Sequence, residues 1–152
     1  MGVPWTRRAK QITERPTGVL PQTADVALFR ITGGKIRVFG IYGEVTTVVQ
    51  NQANNTKLKH NPSGTGGDVD LCAVLNIAAD AVGTVYSIVG VVGTALKSAT
   101  LWMVLPADDI AAPGLVLAPG DIELDCAASN SGSVKWTLNW EPVDEGANVA
   151  YA

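Results

Sequence analysis

The stretch SVKWTLNW, residues 133–140, decides the fold class of this chain. Its large apolar residues Val134, Trp136, Leu138 and Trp140 alternate with Lys, Thr and Asn. That period of two places the apolar side chains on one face of a β-strand and the polar side chains on the other. The stretch therefore predicts a strand with one face in the core and one face in water.

Similar short, β-rich runs precede this strand in the sequence. GDIELDC at residues 120–126 again alternates apolar residues with acids. Similar short runs, separated by Gly, Pro, Asn and Asp, lie at 25–32, 35–42, 44–50, 68–77, 82–90, 100–105 and 115–117. Eight or nine short strands without a convincing helical period predict an all-β, antiparallel β-sandwich or jelly-roll-like single domain. Gly33-Gly34 supplies the positive backbone angles of a tight turn and predicts a hairpin between the first two runs.

Composition divides the chain into three parts. Residues 1–23 contain three prolines and few periodic apolar positions, which predicts an extended N-terminal arm, disordered alone or laid along a neighbour. Residues 24–142 form the predicted sandwich domain, and 143–152 an irregular C-terminal tail. Within the domain, KHNPSGTGG at 59–67 is predicted to be a flexible surface loop.

Bulk properties exclude several classes of protein. The 152 residues carry a formal net charge of −3 with 16% charged residues, which argues against direct nucleic-acid binding. The run 81–96 is too short and too rich in glycine for a membrane helix, and the first residues lack the apolar region of an export signal. Cys72 and Cys126 lie in no CxxC pair, so we expect buried free thiols in a cytosolic product rather than a disulfide.

Residues for catalysis or metal binding are scarce. His60 is the single histidine and is expected to be exposed in the 59–67 loop, without the partners that nucleophilic catalysis needs. We therefore expect no enzyme, no cofactor and no metal site. Alternating carboxylates are expected to form a solvated face, or to dock on a basic surface, rather than to bind calcium; they are Asp68, Asp70, Asp121, Glu123 and Asp125.

The tryptophans fall into two groups. Trp102, Trp136 and Trp140 lie in apolar runs and are predicted core residues. Trp5 lies in the arm beside two arginines, a mixture enriched at interface hot spots, so it either anchors another chain or packs back onto its own domain. The predicted partner-binding residues are Trp5, Arg7, Arg8, Lys10 and Arg15.

Two long segments carry a family resemblance. EVTTVVQNQANNTKLKHNPSGTGGDVDLCAVLNI (44–77) and DIELDCAASNSGSVKWTLNWEPVDEGANVAYA (121–152) resemble small virion structural proteins of tailed bacteriophages. The resemblance implies a capsid decoration, or cement, protein, which is a small β domain that is often trimeric. Such a protein assembles in the host bacterial cytoplasm and bridges major capsid protein subunits on the outer surface of the virion.

Two other functions remain open at this point. One is a tail or fibre-tip protein that binds a host surface glycan, with Tyr42, Tyr86 or Trp140 as a stacking platform. The other is a sugar-active enzyme, which would need two carboxylates about 5 to 10 Å apart in a cleft. A decoration protein is present in tens to hundreds of copies per particle, whereas a tail tip is present in a few.

Overall fold

The computed structural model describes residues 9–100 and 102–152. Twelve strands run through these residues: β1 (Gln11–Val19), β2 (Asp25–Thr32), β3 (Ile36–Thr47), β4 (Asn55–Pro62), β5 (Val69–Asp70), β6 (Leu75–Asn76), β7 (Val85–Ser87), β8 (Lys97–Ala99), β9 (Leu115–Leu117), β10 (Gly120–Cys126), β11 (Ser133–Pro142) and β12 (Asn148–Tyr151). A single 3-10 turn at Pro106–Asp108 is the only regular helical element in this part of the chain. These residues include no helix with the length and hydropathy that a membrane crossing requires.

The strands form two antiparallel sheets packed face to face, which confirms the predicted all-β sandwich. The first sheet has the order β1-β11-β3-β7-β8, and β9 also pairs with β3. The second sheet has the order β12-β2-β10-β4-β5, and β6 also pairs with β4. Because neighbouring strands come from distant parts of the sequence, the core closes only when both ends of the chain are in place.

The core follows the alternation that the sequence shows. In β11 every second residue is buried, including Trp136 and Trp140, and the residues between them are half-buried. Trp136 stacks on Tyr86 with ring centroids 6.3 Å apart, and the Trp140 indole N–H donates to Thr13 Oγ1 at 3.0 Å. Both rings therefore bury a large apolar area, and the indole N–H of Trp140 keeps a hydrogen-bond acceptor. Cys72 and Cys126 are free and buried, as expected.

The predicted hairpin at Gly33-Gly34 is wrong. β2 pairs with β10 and β12 in the second sheet, whereas β3 pairs with β11 in the first. The two glycines have φ angles of +77° and +152°, and a Cβ on Gly33 would lie 2.2 Å from the carbonyl oxygen of Gly146. Positive backbone angles serve any tight connection, and here they carry the chain from one sheet to the other.

The arm and tail boundaries also differ from the prediction. β1 lies inside residues 1–23 and pairs along β11 from Gln11, opposite Trp140, to Val19, opposite Ser133. The register shifts between Arg15 and Gly18, so the intervening proline lies in a bulge, where the ladder needs no N–H from it. β12 lies inside the predicted tail and pairs with β2. The described sheet domain therefore begins at β1 and ends at β12.

Other strand boundaries shifted where alternation was weak. The run predicted at 68–77 forms only β5 and β6, and the described residues of 100–105 form no strand. The strand β4 falls partly in the predicted 59–67 loop. Its lysines and its terminal proline resemble a loop in composition, although its inward positions are buried.

Hydrogen bonds join the two sheets at both edges of the sandwich. On one side, β1 faces β12, and the hydroxyl of Thr13 donates to the carbonyl of Val149 at 3.5 Å. On the other side, Ala73 and Ala95 form a parallel bridge, and Leu96 N donates to the Ala73 carbonyl at 2.9 Å. Each edge thus has at least one hydrogen bond to the other sheet of the same chain.

Candidate interaction surfaces

Trp102 is an exposed side chain, not the core residue that its apolar run predicted. The residue is 58% exposed, and its φ of +61° lies in the left-handed region, which costs a residue other than glycine about 1 kcal/mol or more. Its amide donates to the Gly83 carbonyl at 3.1 Å. The indole covers Gly83 so closely that a Cβ there would lie 2.7 Å from Nε1. Because Gly83 has no side chain, the indole of Trp102 can pack directly against the backbone at this position.

Exposed apolar residues lie beside Trp102 at one end of the first sheet. Val19 pairs with Ser133, which in turn pairs with Thr47, and Gly83 N donates to the Val45 carbonyl at 3.0 Å. These contacts place the ends of neighbouring chain segments side by side. We name the exposed apolar residues at this end the Trp102 row: Val19, Val48, Val82, Trp102 and Met103, each at least half exposed.

The Trp102 row has the composition of a protein interface. Tryptophan and methionine are enriched in the buried centres of interfaces, and tryptophan dominates their hot spots. Covering the exposed part of Trp102 would remove roughly 100 Å² of apolar surface from water, which corresponds to about 2.5 kcal/mol. That is a large contribution for one side chain, so this row is the strongest candidate for an adhesive contact on the described surface.

The outer face of the second sheet is a second candidate surface, of opposite character. Along β10 and β4 the buried apolar residues alternate with charged ones, and cross-strand pairing brings the charges together. We name this set the charged face: Asp25, Arg30, Lys57, Lys59, Asp68, Asp70, Asp121, Glu123 and Asp125. The predicted acidic face therefore exists, but its Glu123 is buried rather than solvated. Three cations, Arg30, Lys57 and Lys59, lie among the acids.

Lys59 is the centre of the charged face. Its side chain is only 9% exposed, and its Nζ contacts Asp25 Oδ2 and lies 2.9 Å from Asp68 Oδ2. Oxygens of Asp25, Asp68 and Glu123 lie within 4.8 Å of one another, an arrangement that a cation stabilises. Because the ammonium group bonds two of these three acids, the chain supplies its own cation.

Proton affinities on this face follow from the same contacts. Burial opposes the charged form of Lys59, but its hydrogen bonds to Asp25 and Asp68 outweigh burial and raise its pKa above the usual range. The hydrogen bond from Lys59 in turn lowers the pKa of Asp25. Burial, together with a hydrogen bond to Asp25, raises the pKa of Asp125. Asp125 is therefore the first carboxyl of this pair to take up a proton as the pH falls.

The charged face accounts for the net charge of the whole chain. It holds six acids and three cations, out of 14 acids and 11 cations in the sequence. The rest of the chain then has eight of each, which cancel. The formal charge of −3 is thus the excess on one face of one sheet, which gives the molecule a strongly asymmetric charge distribution.

Of the five partner-binding residues predicted from the sequence, the structure describes two, Lys10 and Arg15. Trp5, Arg7 and Arg8 lie outside the described residues. Lys10 Nζ lies 4.5 Å from the centre of the Phe39 ring, a cation–π contact. Arg15 donates from Nε to the Ala152 carbonyl at 3.3 Å, so its guanidinium helps to join β1 to the end of the chain.

The histidine and both cysteines are inside the protein. His60 is buried on β4, not exposed in a loop as predicted, and its Nε2 lies 2.9 Å from the carbonyl oxygen of Ala118. Burial lowers its pKa and raises the pKa of Cys72 and of Cys126. The histidine was misplaced because the Pro and Gly residues that follow it obscured the alternation of Leu58 and His60.

The aromatic residues considered for glycan stacking do not form an exposed platform. Tyr86 and Trp140 are buried. The Tyr42 hydroxyl donates to Asp109 Oδ2 at 2.6 Å, and its ring folds back over Gly40. A groove of about 410 Å³ opens at the end of the second sheet, lined by backbone and by short or already paired side chains: Arg30, Ile31, Thr32, Gly33, Asn61, Pro62, Ser63, Pro119, Gly120 and Asp121. This lining offers no aromatic platform for a sugar.

Comparisons with protein-family models, with curated proteins and with solved structures gave no match.

Proposed function

We propose that this chain is a structural virion protein that decorates a bacteriophage capsid and stabilises it by bridging major capsid protein subunits. The Trp102 row carries the proposal, because an exposed tryptophan seated among apolar neighbours is suited to binding another protein. The resemblance of residues 44–77 and 121–152 to small phage virion proteins supports the choice of partner. In this role the chain acts as an oligomer, expected to be a trimer.

The mechanism is mechanical. A rigid sandwich that contacts two capsid subunits keeps them together as long as its own contacts hold, and several copies in one oligomer keep each contact close to its site when another opens. Area buried under the Trp102 row then opposes separation of the subunits. The burial of His60, Cys72 and Cys126 is consistent with a protein whose function is binding.

The test uses purified protein added to undecorated phage shells, with bound copies per shell measured by quantitative gel densitometry. We expect Trp102→Ala to weaken binding by at least about tenfold, because it removes roughly 2 kcal/mol of apolar burial. Tyr151→Ala is the matched control, since Tyr151 is also 58% exposed but lies on β12, at the edge of the second sheet. Equal binding of the wild type and Trp102→Ala would refute the role of the row.

Copy number in the intact particle tests the location. Tens to hundreds of copies support decoration, and a few copies support the tail or fibre-tip alternative. Shells that bind none of the wild-type chain at micromolar concentration would refute the proposed function. A deletion that tests the arm must end before Gln11, because a longer one removes β1.

A further inference from the structure

Among the described residues, the charged face is partly exposed and carries unbalanced charge. The side chains of Asp25, Asp68 and Asp70 remain 39%, 40% and 41% exposed although each contacts a lysine. Of the six acids on this face, three are in excess over the local cations. An exposed face with that excess attracts a cationic partner.

The sequence contains one segment with the complementary charge. Residues 5–10, Trp-Thr-Arg-Arg-Ala-Lys, have three cations and no acid, so the segment is opposite in charge to the charged face. The segment also contains a tryptophan, which can cover exposed apolar surface next to the charges. Elsewhere in the chain, cations and acids are more evenly mixed.

The position of Lys10 indicates that a different copy provides this segment. Lys10 lies on the ring of Phe39, a residue of β3, and β1 and β3 both belong to the first sheet. The segment that precedes β1 is thus connected to the sheet opposite the charged face. In an assembly of copies, the segment of one copy can bind the charged face of a neighbour, and the charged face of the first copy can bind the segment of a further copy.

We propose that the charged face binds the part of the basic segment that precedes Lys10, with Arg7 and Arg8, from a second copy of this chain. The inference rests on the proposed adhesive function and names its self-association surface. Arg7 and Arg8 bind the excess carboxylates, because a planar guanidinium group can donate hydrogen bonds to two carboxylate oxygens at once. Since each copy has one segment and one face, the contacts close into a ring or a reciprocal dimer.

Two complementary variants test the proposal. The segment variant, Arg7→Glu with Arg8→Glu, keeps the charged face. The face variant, Asp70→Lys with Asp125→Lys, keeps the segment. Sedimentation velocity in 50 mM salt should show the wild type associated, each variant alone monomeric, and an equimolar mixture of the two forming heterodimers. Circular dichroism and the melting temperature verify that each variant is folded, and Asn replaces Lys in the face variant if it is not.

Salt and a control variant sharpen the result. Raising the salt from 50 to 500 mM should weaken wild-type association by about tenfold or more, because exposed charges are screened. Glu44→Lys with Glu141→Lys reverses two acids on the first sheet and should leave association unchanged. A monomeric wild type, a monomeric mixture, or equal loss in the control would overturn the proposal.

Failure of this inference is distinguishable from failure of the proposed function. Self-association is measured on the free protein, whereas decoration is measured as copies bound to shells. A chain that binds shells but remains monomeric in solution refutes only the self-association surface. A chain that self-associates but never binds shells refutes only the decoration function.

Discussion

Replacing Lys59 with methionine tests the centre of the charged face. The substitution keeps an unbranched side chain of similar length and removes the ammonium group that contacts Asp25 and Asp68. Asp25, Asp68 and Glu123 then remain with oxygens within 4.8 Å of one another and without their cation. The variant is therefore expected to be folded but less stable.

The size of the effect follows from distance and exposure. Two unit charges 4.8 Å apart repel by about 1 kcal/mol in water and by about 3.5 kcal/mol at an effective dielectric constant of 20. The side chains of Asp25 and Asp68 are about 40% exposed, which places the repulsion near the lower value. Adding the loss of attraction to the buried ammonium gives a destabilisation of about 2 kcal/mol.

Urea denaturation at pH 7 measures this loss as a shift of the midpoint at constant slope. Lys57→Met is the matched control on the same strand, because Lys57 is more exposed and contacts a single acid, Asp70, at 2.8 Å. It is expected to cost less than about 1 kcal/mol. An equal cost for the two substitutions would refute the central role of Lys59.

The pH dependence provides a second check on the same variant. The pKa of Asp25 is lowered from its usual 3.8, so the stability that Lys59 contributes is present above pH 3.8 and is lost as the pH falls below it. The pKa of Lys59 is raised from its usual 10.5, so the same stability is present below pH 10.5 and is lost as the pH rises through the folded-state value. The difference between wild type and Lys59→Met should thus be flat between these limits and shrink outside them.

Two further predictions concern the core. Gly43→Ala should cost about 1–3 kcal/mol in urea denaturation, because the new Cβ would lie 2.6 Å from the buried Trp136 ring; Gly93→Ala, which has open space around it, should change stability by less than about 0.5 kcal/mol. Cys72 and Cys126 are buried with raised pKa values, so a thiol reagent at pH 8 should label them only as fast as the protein unfolds. Rapid labelling of the folded protein would contradict their placement.

The fold was predictable wherever one face of a strand is core and the other is water. The runs 25–32, 115–117 and 120–126 coincide with β2, β9 and β10, and the buried faces of β10 and β11 are those expected from alternation. Period-two patterning reports burial directly, so it locates such strands without knowledge of their partners.

The candidate surfaces were harder to predict because they depend on long-range contacts. Trp102 lies in an apolar run without alternation. Its indole packs on the surface over Gly83, about twenty residues earlier in the chain, and this contact is not visible in the local sequence. Lys59 occurs in what reads as a polar loop, and its importance follows from the acids that β2 and the residues before β5 bring to it. A faint signal existed in β4, where Leu58 and His60 alternate with Lys57 and Lys59.

The edges of the sandwich are bridged by a few contacts between the two sheets. An open sheet edge binds any other edge through its backbone, and a protein present in many copies would then stack without limit. Here β1 contacts β12 through Thr13 and Val149, and the opposite edge is bridged at Ala73 and Ala95. The associations proposed above use side-chain surfaces, the Trp102 row and the charged face, rather than these edges. If the two proposals hold, the different chemistry of these surfaces lets one bind a shell while the other binds a second copy.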